Sequence, residues 1–275
     1  MSFSKRMSRI KPSGIRAVQK RIAGKSDMIS FAAGLPDPAL YPLEDLRKAA
    51  DTMLEKEGAT AFAYGLTKGY GPLLDYLTDR MNNREHVECT KENICILSGS
   101  QQGLGLAAMT FLDEGDVVIT ENPSYLGAIN AFRPYGAEFV GVDTDDDGIV
   151  IEDLERALEE NPKTKLIYVI PNFQNPTGKA WTLERRERFM EVVAKYDVAV
   201  VEDNPYGDLR FKGEPLPHLR ALDKKGQVIY LGSFSKILSP GMRVAWTCAS
   251  KEVATAFESL KETNDLQSPE LTQML

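Results

Sequence analysis

The chain has 275 residues, 43% hydrophobic and 27% charged, the composition of an ordinary globular protein long enough to bury a core without disulfides. Its formal net charge of -7 argues against a nucleic-acid-binding surface, and no apolar run approaches membrane-spanning length. Cys89, Cys95 and Cys248, with His86 and His218, have no metal-ligand spacing, so no metal is expected and both histidines read as solvated loop residues.

The first residues, Met1 to Arg6, are basic but lack the apolar core of a signal peptide, which makes the cytoplasm the expected location. Residues 1 to about 50 look irregular, with Ser13 placed to cap a short helix and Ile29 to Pro38 extended. Pro42 followed by Glu44 and Asp45 predicts a helix to about Glu57. A glycine-punctuated loop carrying Tyr64 follows, then a helix from Pro72 to about Asn82.

From Asn93 onward, strands and helices alternate. Short apolar runs begin at Ile94, Val117, Glu138, Leu166, Val198, Val228 and Val244, and helical stretches separate most of them. The acidic run Asp143 to Asp147 reads as a solvated turn, because Leu154 stands where a calcium loop needs its glutamate. The alternation predicts an α/β fold: a mostly parallel sheet with helices on both faces.

Polar residues gather where these strands end, the edge at which open α/β sheets bind ligands. Lys236 follows the strand Val228 to Leu231 and could serve as an amine nucleophile or a solvated loop lysine. Arg243, seven residues on, is a possible anion clamp. The turn Ser98 to Gly103 offers backbone N–H groups and the Ser100 hydroxyl at a helix start, as a cap or an anion site. It matches neither the dinucleotide glycine pattern nor a P-loop. Asp203 follows an apolar strand, where it makes an Asx-type turn or meets a ligand cation. Asn175, Tyr206 and Tyr125 each follow a strand and add an amide, a phenol and an aromatic face. Together these groups match pyridoxal phosphate, which has an aldehyde, a phosphate, a ring nitrogen, a phenolic oxygen and a flat ring.

The phrases Ala33-Gly34-Leu35-Pro36, Ser98-Gly99-Ser100-Gln101-Gln102-Gly103, Pro123-Ser124-Tyr125, Asn175-Pro176-Thr177-Gly178, Asp203-Asn204-Pro205-Tyr206 and Ser233-Phe234-Ser235-Lys236 occur in this order. In wording and spacing the chain resembles a fold-type I pyridoxal-phosphate enzyme of the class I/II aminotransferase family, nearest the aminoadipate and kynurenine type. The resemblance implies that Lys236 forms the Schiff base and moves the proton, and that Asp203 keeps the pyridine nitrogen protonated. It implies that Asn175 and Tyr206 bond the phenolic oxygen, that Tyr125 stacks on the ring, and that Ser100, Gln101, Ser233, Ser235 and Arg243 hold the phosphate. Tyr64 would reach the partner's phosphate in a homodimer, and Gly34 and Asn175 would lie by the substrate.

By the same resemblance, residues 1–50 form an N-terminal arm with a small-domain segment and residues 51–275 the cofactor-binding large domain. A C-terminal small domain, with the arginine that pairs with the substrate carboxylate, is expected to be missing after Leu275. Arg16, on a segment that folds over the site in such relatives, either faces an acidic substrate side chain, favouring aminoadipate or glutamate, or is a surface arginine on an amphipathic helix. The implied reaction is transamination between an amino acid and a 2-oxo acid. The alternatives are a lyase or decarboxylase with the same cofactor, and the aminotransferase-like effector domain of a transcription regulator.

Overall fold

Alternation along each short apolar run divides its side chains between two faces of a sheet. In the computed structural model, which describes residues 2–10, 21 and 34–275, both faces are covered. Among the described residues eight strands form one sheet: β1 (Ile94–Leu97), β2 (Val117–Asn122), β3 (Glu138–Asp145), β4 (Gly148–Ile149), β5 (Thr164–Val169), β6 (Ala199–Asn204), β7 (Val228–Ser233) and β8 (Ala245–Cys248). Their order across the sheet is β1-β8-β7-β6-β5-β2-β3-β4. The strands from β7 to β3 pair in parallel; β8 runs antiparallel to both neighbours, as β4 does to β3.

Val118, Tyr168, Val201 and Leu231 point to one face, where they pack with the helices Ser100–Phe111, Leu126–Phe132 and Lys251–Asn264. Val117, Ile119, Ile167, Val169 and Val200 point to the other, against the helices Ile151–Glu160 and Leu183–Val193. Near-continuous apolar strands are what a sheet buried on both faces requires. The helix Ile151–Glu160 buries Ile151, Leu154, Ala157 and Leu158, one stripe at helical spacing. Thr182 caps the helix Leu183–Val193 by accepting from the Arg185 N–H, and Ser250 caps the helix Lys251–Asn264 from Val253. A third cluster, with Leu74, Leu77, Ile96 and Trp246, seats the helix Gly71–Asp79 beside β1 and β8.

Several boundaries differ from the sequence reading. The helix Leu43–Ala61 runs past Glu57, whose φ of -137° marks a kink beside Gly58. The acidic run is not wholly a turn: Asp143 to Asp145 belong to β3, and Gly148–Ile149 pairs back on it as β4. Charge there is compatible with a strand because Arg185 pairs with Asp145 at 2.9 Å. The helices Leu219–Leu222 and Glu270–Met274 were not expected. No described helix is long and apolar enough to cross a membrane.

Candidate active site

The C-terminal ends of β1, β2, β5, β6 and β7 lie along one edge of the sheet, because these strands run the same way. β8 is reversed, so its beginning lies at that edge, and it delivers Arg243 just before its first residue. A cavity of about 510 Å³ opens there. Its lining brings together Ser100, Gln101, Tyr125, Asn175, Asp203, Tyr206, Ser233, Ser235, Lys236 and Arg243, drawn from six separate stretches of chain.

Asp203 lies within β6 rather than after it, and is buried. The Tyr168 hydroxyl donates to Oδ2 at 2.8 Å, while Oδ1 is buried with no partner among the described residues. Burial pushes the Asp203 carboxyl up to about 6, against the Tyr168 bond, which lowers it. At neutral pH the group is an anion in want of a cation. Its neighbour Glu202 points to the opposite face of the strand, where burial raises it but His218 and backbone N–H groups outweigh that and hold it low.

Lys236 is half-buried; its Nζ donates to the Gly34 carbonyl at 2.8 Å and lies 5.8 Å from the centre of the Tyr206 ring. Burial lowers its pKa, which favours the free amine that attacks a carbonyl. The Asn175 amide donates to the Tyr206 hydroxyl at 3.2 Å, so both point to one spot on the wall. Gln174 braces that loop: its Nε2 donates to the Pro123 carbonyl at 2.8 Å, and its Oε1 accepts from the Thr177 N–H and hydroxyl. Glu121, buried in β2, accepts from Ile170 N–H and Trp181 Nε1, both at 3.0 Å. Burial pushes Glu121 up to about 7. The ring of Tyr125 lies so close to Gly127 that any side chain there would overlap it.

At the other end of the cavity, Gly99 turns the chain with φ of 86° into the helix Ser100–Phe111. A side chain on Gly99 would overlap the Arg243 guanidinium, which reaches the Ser98 carbonyl at 3.4 Å. The Ser233 hydroxyl accepts from Ser235 N–H at 3.0 Å. Free N–H groups at the helix start, the hydroxyls and the guanidinium make a cradle for a phosphate.

The donor set fits pyridoxal phosphate on an observation independent of the motifs. The orphaned Asp203 oxygen is the acceptor a pyridine N–H needs, and the amine, phenol and cradle stand around the same cavity. Tyr64 is 86% exposed and lies outside the cavity. Gly34 meets the site through its carbonyl, while Leu35 lines the cavity. Arg16, like the expected Ser13 helix, lies outside the described residues. Sequence reasoning missed Glu121 and Gln174, whose only signal is polarity in or beside an apolar strand, and the apolar lining Ile170, Leu104 and Pro240. It also misjudged His218, which is buried between Glu85 at 2.9 Å and Glu202 at 3.3 Å.

The model of the family "Aminotransferase class I and II" matches residues 26–273. The chain is 41% identical over 277 residues to aromatic-amino-acid aminotransferase 1 of Thermococcus litoralis, covering 99% of this chain and 66% of that one. It is 40% identical to the 2-aminoadipate transaminase of Thermus thermophilus, covering all of this chain and 68% of that one. The crystal structure of Pyrococcus horikoshii kynurenine aminotransferase superposes with a TM-score of 0.93 at 39% identity, over 99% of this chain and 68% of that chain. The chain thus spans about two thirds of the length of the relatives it matches. With the strand order, the cavity and these likenesses in agreement, the chain belongs to the class I and II aminotransferase family and has the fold of the type I pyridoxal-phosphate enzymes.

Proposed function

We propose that this chain transfers an amino group between an L-amino acid and a 2-oxo acid, with pyridoxal 5'-phosphate as its cofactor. The observation that carries this reading is the buried, unpartnered Asp203 oxygen in the same cavity as the Lys236 amine. When bound, the cofactor supplies an electron sink for the bond broken at the substrate Cα.

The chain's residues divide the rest of the work. Lys236 would hold the cofactor through Nζ and, with Nζ free, would take up and hand on the proton that leaves the substrate Cα. Asp203 holds a proton on the ring nitrogen by charge. Asn175 and Tyr206 would hold the phenolic oxygen, and Tyr125 would cover a ring face. Ser100, Gln101, Ser233, Ser235 and Arg243 bind the phosphate. Gly34 and Asn175 border the substrate. The exposure of Tyr64 suits a residue that completes a second copy's phosphate site, which supports a homodimer as the working form; the proposed location is the cytoplasm. The donor is 2-aminoadipate, glutamate or an aromatic or branched amino acid; the names of two relatives, an aromatic-amino-acid aminotransferase and a 2-aminoadipate transaminase, support the first and third of these.

The test is the absorbance spectrum of the protein with pyridoxal phosphate, before and after glutamate, 2-aminoadipate or an aromatic amino acid. A band that requires Lys236 and fades on adding an amino acid, with stoichiometric release of 2-oxo acid, is expected. A band indifferent to Lys236→Ala removes the reading. A Lys236-dependent band that no amino acid changes would leave a cofactor-binding protein without transfer activity.

A further inference from the structure

We propose that Lys261 is a positioning residue for the phosphate cradle, an inference that rests on the cofactor reading above. Lys261 lies in the helix Lys251–Asn264, is fully buried and does not line the cavity. Its Nζ donates to Gln102 Oε1 at 3.0 Å, to Asp265 Oδ1 at 3.2 Å and to Ser268 Oγ at 3.3 Å. Three acceptors satisfy the three N–H groups of an ammonium. Lys261 is wholly buried while Asp265 stays partly exposed, and an ammonium taken out of water costs desolvation that such a pairing offsets only in part, so its presence asks for another role.

That role is visible one bond further on. Gln102 Oε1, fixed by Lys261, also accepts the Ser98 N–H at 2.8 Å, and Gln102 Nε2 donates to Asp265 Oδ2 at 2.5 Å. The Ser98 hydroxyl meets Ser268 Oγ at 3.0 Å and Asp265 Oδ2 at 3.3 Å, and the Ser98 carbonyl receives Arg243. Ser98 and Gln102 flank the Gly99 turn on both sides. Lys261 and Asp265 therefore lock the carboxamide that closes the turn, and the turn presents its N–H groups already in place. Such preorganisation by groups behind a site raises affinity without touching the ligand.

The experiment titrates the 275-residue protein with pyridoxal phosphate and, separately, with pyridoxal, which lacks the phosphate. It compares wild type with Lys261→Met and Asp265→Asn, reading the Lys236-dependent absorbance. Hydrogen exchange of the Gly99, Ser100 and Gln101 amides is followed in the cofactor-free protein. Both variants are expected to weaken pyridoxal phosphate about tenfold or more, to change pyridoxal less than about twofold, and to speed exchange in the turn. Unchanged affinity with unchanged exchange overturns the proposal. So does an equal loss for both ligands, or unfolding of both variants, which would mark a merely structural lysine. If wild type itself does not distinguish the two ligands, the cofactor reading falls; the exchange measurement still judges the positioning role.

Discussion

Across the neighbouring strands β5 and β6, the Tyr168 hydroxyl holds one oxygen of Asp203 and leaves the other without a partner. This is a site kept in readiness at the expense of the unloaded fold.

The first prediction concerns that expense. Burial raises Asp203 from its ordinary carboxylate value to about 6. An acid raised in the folded state destabilises it as pH climbs from about 4 to about 6, and the loss then persists. A shift of this size amounts to roughly 2–3 kcal/mol above pH 6. Cofactor-free Asp203→Asn should therefore melt higher than wild type at pH 7.5, with the gap narrowing towards pH 4, while its affinity for pyridoxal phosphate falls. Thermal unfolding across that range decides it; a variant that melts lower at pH 7.5 contradicts the assignment.

Gly99→Ala combines two penalties. The φ of 86° disfavours any side chain, and the new methyl would overlap the Arg243 guanidinium. The backbone strain is of order 1–3 kcal/mol. Titration should give a larger loss for pyridoxal phosphate than for pyridoxal, because Arg243 is displaced from the cradle. Equal losses would place Arg243 away from the phosphate.

Trp181→Phe removes one of two donors to the buried Glu121 carboxylate, at 3.0 Å, and keeps the aromatic packing against Phe189. The unmet oxygen should lower unfolding stability by about 1–3 kcal/mol. Since burial holds Glu121 at about 7, the loss should be greater at pH 8, where the group is charged, than at pH 6. Urea unfolding at the two pH values measures the difference, and a pH-independent loss would count against it.

His218 sets an upper pH limit. Burial lowers its pKa, but Glu202 and Glu85 outweigh this and lift it to about 9. A histidine raised in the folded state contributes stability that is complete below about 6.5 and disappears as pH rises through about 9. The melting temperature should fall over this interval, and His218→Gln should flatten the fall while lowering the melting temperature at pH 6. An unchanged slope in the variant would assign the decline to other groups.

What could be read beforehand divides along the range of the interactions. Lys236, Asn175, Tyr125 and Tyr206 stand just beyond apolar runs, a local pattern that places them at one edge once the strands are parallel. In the sequence Asp203 reads as lying after its strand because a charge ordinarily ends one; Tyr168, on the next strand, is what lets it stay inside. His218 reads as solvated because its partner Glu85 is 133 positions away and leaves no local mark. Lys261 carries no local signal, since a lysine in an amphipathic helix is normally a surface residue and Gln102 lies 159 positions off. Groups that act from strand ends leave local marks; groups that act by pairing across the fold do not.

The reversed strand β8 has a consequence for how the protein forms. It joins β1 to β7, bringing Ile94 beside Cys248, so one side of the cavity closes only when segments roughly 150 residues apart have met. Loop closure over such a span is slow to arrive and yields nothing to bind before it does. The strands β2, β5, β6 and β7 can assemble with β8, which pairs with β7 across a short stretch of chain, and carry Tyr125, Asp203, Lys236 and Arg243 with them, whereas the Ser98 turn joins only through β1. Capture of a phosphorylated ligand would then report that β1 has docked on β8, that pairing acting as the latch on the chain's own assembly.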